Sequence, residues 1–309
     1  MSESRNIFYP QTEITTVLVP VTRGCSFNQC AFCSMYKEEA YEEVMLQEIE
    51  FELMNGETYT ERVFLTGADP LSVGYEKMMR ILKLIQKYYP YCGCVAMYAA
   101  VRTINNYTVE ELKQLHAAGL RLLYIGFESG SDEVLKSIRK GHTVKTAIAV
   151  GKKLNEARLP FNAIVMYGIA GEGNSEENAK KTAEMLNQFS ASKIITMNLT
   201  VFASTELAKM EQEGMFVQAG IKEKISEVRI LLENLDVKKR TEFDTTHATN
   251  IIKLLGTLPD EKEILLEKIK NNTMKKLKDD KKKRKWIEVD EEEGTDEKKK
   301  MYALWWEAG

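Results

Sequence analysis

The chain has 309 residues, of which 44% are hydrophobic and 29% charged, with a formal net charge of −3. That length admits one large α/β domain or two small ones, and five cysteines are too few for a disulfide scaffold. The near-neutral charge offers no footprint for nucleic acid, no uncharged apolar run reaches membrane-spanning length, and the first sixteen residues lack a basic region followed by an apolar one, so a cytoplasmic protein is expected.

In chain order, "TTVLVPVT" (15–22) reads as the first strand, rich in β-branched residues. "RGCSFNQCAFCSMY" (23–36) follows, placing Cys25, Cys30 and Cys33 in a C-x4-C-x2-C spacing. A second strand at 62–67 runs into "TGADP" (66–70), and helical spacing then covers 74–89. Cys92 and Cys94 precede a third strand at 95–101, after which comes Arg102. Helix 108–119 is bounded on chemical grounds: Thr108 and Glu111 form a capping box, and Gly119 is the left-handed stop. The fourth strand, 121–128, ends on Glu128; "LKSIRKGH" (135–142) lies beyond it, with the adjacent cations Arg139 and Lys140. The fifth strand, 161–168, leads into "YGIAGEG" (167–173), helix 175–189 and a sixth strand at 193–202.

After residue 203 the pattern turns mainly helical, with 226–235 and 260–272 flanking an irregular stretch, 242–259, that carries His247 among polar residues. Residues 273–309 pass from a basic block, which includes "KKKRK" (281–285), to an acidic one and read as a charged, mobile tail.

Six strands alternating with helices predict a parallel sheet with right-handed crossovers, and nearly continuous apolar strands fit burial on both faces. Periodicity leaves an open doubly wound sheet and a (β/α) barrel equally allowed. In either, reactive groups gather at the C-terminal ends of the strands. Cys25, the 66–70 turn, Arg102, Glu128 and the 167–173 turn all fall on that rim, and Cys92 and Cys94 on the opposite one.

A loop of three thiolates holds iron–sulfur or zinc. The same opening intervals occur in plant-type 2Fe-2S ferredoxins, where Cys92 or Cys94 would supply the fourth ligand of an electron carrier. A structural zinc site needs the same fourth thiolate or a histidine.

The loop after a first strand, Phe32 immediately before Cys33, and glycine-bearing motifs at successive strand ends resemble the radical S-adenosylmethionine (radical SAM) superfamily. The four-residue first gap departs from the family's usual C-x3-C-x2-C and lies nearest its elongator-type branch; in motif style the chain is similar to that branch and to the coproporphyrinogen dehydrogenase-like one, which act on transfer RNA and tetrapyrrole respectively. The resemblance implies a partial (β/α)6 TIM-like barrel of parallel strands over 1–203, capped by a C-terminal helical extension over 204–272. It implies a 4Fe-4S cluster on Cys25, Cys30 and Cys33, with one iron left for S-adenosylmethionine. Gly67, Ala68, Asp69 and Pro70 stand at the family's G-G-E-P motif, where backbone meets the methionyl amine; only Gly67 and Pro70 match it. Glu128, with Ser129 beside it, takes the ribose hydroxyls, Lys140 the cofactor's carboxylate, and the backbone near Gly168 and Ile169 the adenine, against a wall from Phe32. Arg102 is left to cofactor, substrate acid or a pair with Glu128. The implied activity is reductive cleavage of S-adenosylmethionine by an oxygen-sensitive enzyme served by a reductant such as flavodoxin or ferredoxin. A small-molecule or tetrapyrrole-like substrate is favoured over nucleic acid, and no cobalamin or acetyl-coenzyme A domain is apparent.

Overall fold

The computed structural model describes residues 7–56 and 59–271. A 3-10 turn at Gln11–Glu13 leads to β1 (Val17–Pro20), followed by the two-residue strands β2 (Thr22–Arg23) and β3 (Glu42–Glu43), which pair with each other. Next come α1 (Leu46–Asn55), β4 (Arg62–Thr66), a 3-10 turn at Pro70–Val73, α2 (Tyr75–Tyr88), β5 (Cys94–Ala99) and α3 (Val101–Ile104). Helix α4 (Val109–Ala117) precedes β6 (Leu120–Glu128), α5 (Asp132–Ser137) and α6 (Val144–Glu156). The chain continues through β7 (Phe161–Tyr167), α7 (Ser175–Leu186), β8 (Lys193–Asn198), α8 (Glu206–Gln212), α9 (Ile221–Asn234), β9 (Thr241–Asp244) and β10 (Leu255–Leu258).

One sheet runs β1-β4-β5-β6-β7-β8-β9-β10. The first six of these are the six expected strands, in sequence order and mutually parallel. Leu18, Phe64, Tyr98, Tyr124, Ile164 and Ile195, contributed by all six, pack into one cluster that includes Ala96, so the sheet curls around this face. That closes the choice left by periodicity in favour of the partial barrel. The rings of Phe64, Tyr98 and Tyr124 meet edge to face at 5.5–6.2 Å, filling the interior.

The lower end of this interior is plugged by Glu13, which is fully buried. An isolated carboxylate there would be costly, but Arg62 donates through Nε and Nη2 (2.8 and 2.5 Å) and Tyr124 Oη donates at 2.7 Å. Arg62 Nη1 also reaches Cys94 Sγ at 3.0 Å, which ties that thiol to this end, away from the rim.

The capping box at Thr108 and Glu111 is present as expected. The segment expected as a helical extension over 204–272 also holds the strands β9 and β10: β9 adds to β8 in parallel and β10 to β9 antiparallel, so this segment lengthens the sheet. At four residues each, and with Glu242 and Asp244 on β9, they are too short for period-two alternation to register. Residues 1–267 form one compact unit; of the second, 268–309, the described residues 268–271 are helical. The tail expected at 273–309 lies outside the described residues. Among those described, no helix is long and apolar enough to cross a membrane.

Candidate active site

The cysteine loop follows β2 and is fastened by its backbone. Ala31 N–H donates to Ile138 O and Ala31 O accepts from Leu207 N–H, both at 2.8 Å, which pins the loop between the end of α5 and the start of α8. Asn28 Nδ2 donates to Tyr36 O (2.8 Å), and Lys37 Nζ to Asn28 O (3.0 Å). The three thiols are free and partly buried. Burial raises Cys30 and Cys33 above the usual thiol range; the Lys140 ammonium opposes this at both, while the Cys25 sulfur adds to the rise at both and the Cys33 sulfur adds to it at Cys30. Three thiols thus share one neighbourhood with a cation. Among the described residues no group of three His, Cys, Asp or Glu side chains is arranged to hold a single metal ion as it stands. Three thiols are a soft donor set, whose chemistry fits an iron–sulfur cluster.

Lys140 is the centre of the rim. Its Nζ donates to Glu128 Oε1 at 2.7 Å and stands 5.8 Å from the centroid of the Phe32 ring. Burial alone would lower its pKa, but the charges of Glu128, Cys30 and Cys33 raise it well above the ordinary lysine value. Arg139, its sequence neighbour, is exposed and faces Glu206 at 3.5 Å, so Lys140 is the cation of the site. Glu128 closes β6 with a left-handed backbone (φ +63°), beside a register shift between Gly126 and Glu128. This break in the strand turns the carboxylate back to the rim, where it remains 6% exposed. Gly141 (φ +79°) passes so close to Phe27 that a Cβ would meet the ring at 2.5 Å.

The 66–70 turn is buttressed from below. Asp69 is buried, accepting from Ala100 N–H (3.2 Å) and Thr103 Oγ1 (2.5 Å), with Arg102 at 3.5 Å. Burial raises its pKa against those three partners. Its carboxylate therefore braces the turn, leaving the backbone of Gly67 and Ala68 to face the rim; Pro70 is buried and opens the next 3-10 turn. Arg102 donates to Ser26 Oγ (2.5 Å) and lies 4.9 Å over Phe27, so it links Asp69 to the cysteine loop. The pairing of Arg102 with Glu128 allowed by the sequence is not formed, because Lys140 holds Glu128.

At the end of β7, Ile169 packs with Ile138, Leu199 and Leu207, and Phe32 lies against this cluster, which brings the expected adenine wall and adenine segment together. Ser129 is brought elsewhere. It is fully buried and its hydroxyl donates to Asn178 Oδ1 at 2.5 Å. Gly168 N–H donates to Glu227 Oε2 at 2.7 Å, and the Lys224 side chain lies across Gly168 with Nζ 3.4 Å from Leu199 O. Sequence reasoning missed Asn178, Lys224 and Glu227. The readable signal was two charges, Lys224 and Glu227, set among the apolar residues Ile225, Val228, Leu231 and Leu232 of one helix. His247 is far from this arrangement in bonding terms: its Nδ1 meets Thr249 Oγ1 at 2.8 Å, and burial lowers its pKa.

A family model described as the Radical SAM superfamily matches residues 19–186. Among curated proteins, the heme chaperone HemW of Bacillus subtilis (strain 168) is similar, 23% identical over 187 residues, which are 58% of this chain and 48% of that protein. The chain therefore spans about half the length of this relative. Among solved structures, coproporphyrinogen III oxidase (HemN) from Escherichia coli superposes with a TM-score of 0.53 at 14% identity, over 71% of this chain and 51% of that one. The Elp3 of the archaeon Methanocaldococcus infernus, with an N-terminal deletion, gives 0.50 at 16% identity, over 84% and 63%. At such identities these two speak for the fold alone.

Proposed function

Because the chain belongs to the radical SAM superfamily, whose model matches more than half of it, we propose that it is an enzyme that cleaves S-adenosylmethionine reductively, using a 4Fe-4S cluster held by Cys25, Cys30 and Cys33. Held there, the cluster and cofactor would supply one-electron reductive cleavage of the sulfonium, with the electron from a flavodoxin- or ferredoxin-type reductant, and so hydrogen abstraction from substrate. The observation that carries this reading is Lys140, a single ammonium bonded to Glu128, stacked near Phe32 and acting on Cys30 and Cys33.

The chain's own groups divide the work of holding the cofactor. An ammonium has three donors and Glu128 takes one, so Lys140 keeps capacity for the cofactor's carboxylate while orienting Glu128. The Glu128 carboxylate accepts from two ribose hydroxyls; the backbone of Gly67 and Ala68, braced by Asp69 and Arg102, meets the methionyl amine. Phe32 and the backbone of Gly168 and Ile169 enclose the adenine. The buried apolar cluster under Ile169 excludes water from the reacting end.

A small-molecule or tetrapyrrole-like substrate is our reading of the next level, supported by the similarity to a heme chaperone. Transfer RNA is the less favoured substrate, since the net charge is −3.

Anaerobic reconstitution with iron and sulfide, followed by reductant and S-adenosylmethionine, should yield 5'-deoxyadenosine. Absence of that product, together with an unchanged spectrum of the reduced cluster on adding cofactor, would end the reading. An electron carrier with a fourth cysteine ligand is the rival. Replacing Cys92 and Cys94 together by serine should leave the iron content unchanged, whereas loss of iron would favour the carrier.

A further inference from the structure

The turn after β6 and the turn after β7 are joined by a continuous run of buried hydrogen bonds whose linking side chains, Asn178 and Glu227, lie outside every sequence motif. Ser131 N–H donates to Ser129 Oγ (3.0 Å), Ser129 Oγ–H to Asn178 Oδ1 (2.5 Å), and Asn178 Nδ2–H to Glu227 Oε1 (2.8 Å). Gly168 N–H closes the run on Glu227 Oε2 (2.7 Å). Ser129, Asn178 and Glu227 are 0%, 4% and 2% exposed, so no water substitutes for a missing partner. One helical turn earlier on α9, Glu223 Oε1 accepts from Gly173 N–H (2.8 Å) and Ser175 N–H (3.3 Å). Helix α9 thus grips the 168–175 turn at both ends and, through Asn178 on α7, the 129–131 turn. A second tie, Gly130 N–H to Thr182 Oγ1 at 2.9 Å, fixes the latter to α7.

We propose that α9 sets the cofactor site's nucleoside half, with Glu227 as the positioning residue that fixes the distance between the ribose-facing turn at Glu128 and the adenine-facing turn at Gly168. This rests on the reading of those two turns given above. The helix lies beyond the 19–186 match, so the device belongs to this chain's C-terminal part. Each carboxyl oxygen of Glu227 accepts one N–H donor, which the ionised form does at both; an amide there sets its NH2 against Gly168 N–H or against the Asn178 NH2 unless Asn178 reverses against Ser129. Glu227 touches no part of the cofactor and acts through the backbone of Gly168.

The test uses the reconstituted holoprotein: anaerobic calorimetry gives its dissociation constant for S-adenosylmethionine, and thermal unfolding runs in parallel. Glu227→Gln should weaken binding about tenfold or more, the usual consequence of an unmatched buried donor. Combining it with Asn178→Asp reverses the polarity of the central bond, the new amide donating to the new carboxylate, and should restore affinity to within about threefold of wild type. A merely destabilising substitution would lower the unfolding midpoint without such rescue. Glu128→Ala is the control for the underlying reading. Wild-type affinity in folded Glu227→Gln, with Glu128→Ala weakened, overturns the role of Glu227 and keeps the reading; wild-type affinity in both overturns the two together. If the single exchange does not fold, the double exchange decides: near-wild-type affinity supports the proposal, and weak binding by the folded double variant overturns it.

Discussion

Gly67 shows how tightly single residues are constrained at the rim. Its φ of +128° lies where L side chains are strained, and an added Cβ would run into Thr22, whose buried hydroxyl has no partner of its own. Gly67→Ala should therefore lower stability by more than about 1 kcal/mol in denaturant unfolding. It should also weaken S-adenosylmethionine binding, because the following backbone shifts. Glu227 gives the pH dependence. Burial pushes its carboxyl from 4.5 up to about 7, with Asn178 and Gly168 opposing; Glu223 on the same helix adds to the rise, and Lys224 and the Tyr167 hydroxyl are the other titratable groups beside it. A carboxyl raised in the folded state binds more protons there than in the unfolded chain, so its contribution is greatest below about 4.5 and lost as pH rises to about 7. Relative to Glu227→Gln, wild-type unfolding free energy should fall by roughly 3 kcal/mol between pH 4.5 and 7.5, measured in urea. The cysteines, Glu128 and Lys140 were legible because each is anomalous locally: clustered thiols, an acid ending an apolar strand, a cation before a glycine. Ser129 was legible only as a polar neighbour of such an acid; the turn of its hydroxyl inward to Asn178 depends on the packing of α7.

The elements divide according to whether their signal is local. Helix α4 starts at a capping box, and its hydrogen bonds hold the Glu111 carboxyl below the usual range. Thr108→Ala should cost about 1 kcal/mol in urea unfolding and leave 5'-deoxyadenosine formation unchanged. The six parallel strands were readable from their β-branched and aromatic runs. Helices α3, α5 and α8, of four to seven residues, are shorter than the window over which helical periodicity accumulates. Strands β9 and β10 were unreadable on different grounds, because four residues with one face half-wet depend on β8 for their state. Helix α9 was visible as a helix, yet its function was not. A stripe holding Lys224 and Glu227 reads as polar contamination until the partners at Gly168, Leu199 and Asn178 are known.

For the whole molecule, the boundary expected at residue 203 does not separate a self-sufficient barrel from an accessory. Truncation there would strip β9 from β8, remove α9 from α7 and leave Ala31 O without Leu207 N–H. A 1–203 fragment should accordingly fail to give a cooperative thermal transition, whereas a chain ending at 271 should unfold cooperatively as the full one does; circular dichroism distinguishes these results. The fastening of the cysteine loop has a consequence for how the protein matures. Its ties at Asn28, Ala31 and Lys37 are made by backbone and side-chain groups that no metal touches, so the loop takes its shape as soon as the chain folds. On the proposed function, the cluster would then enter a loop whose frame the protein itself supplies, through Asn28, Ala31 and Lys37. Amide hydrogens of Ala31 and Leu207 should be equally slow to exchange before and after the iron is installed.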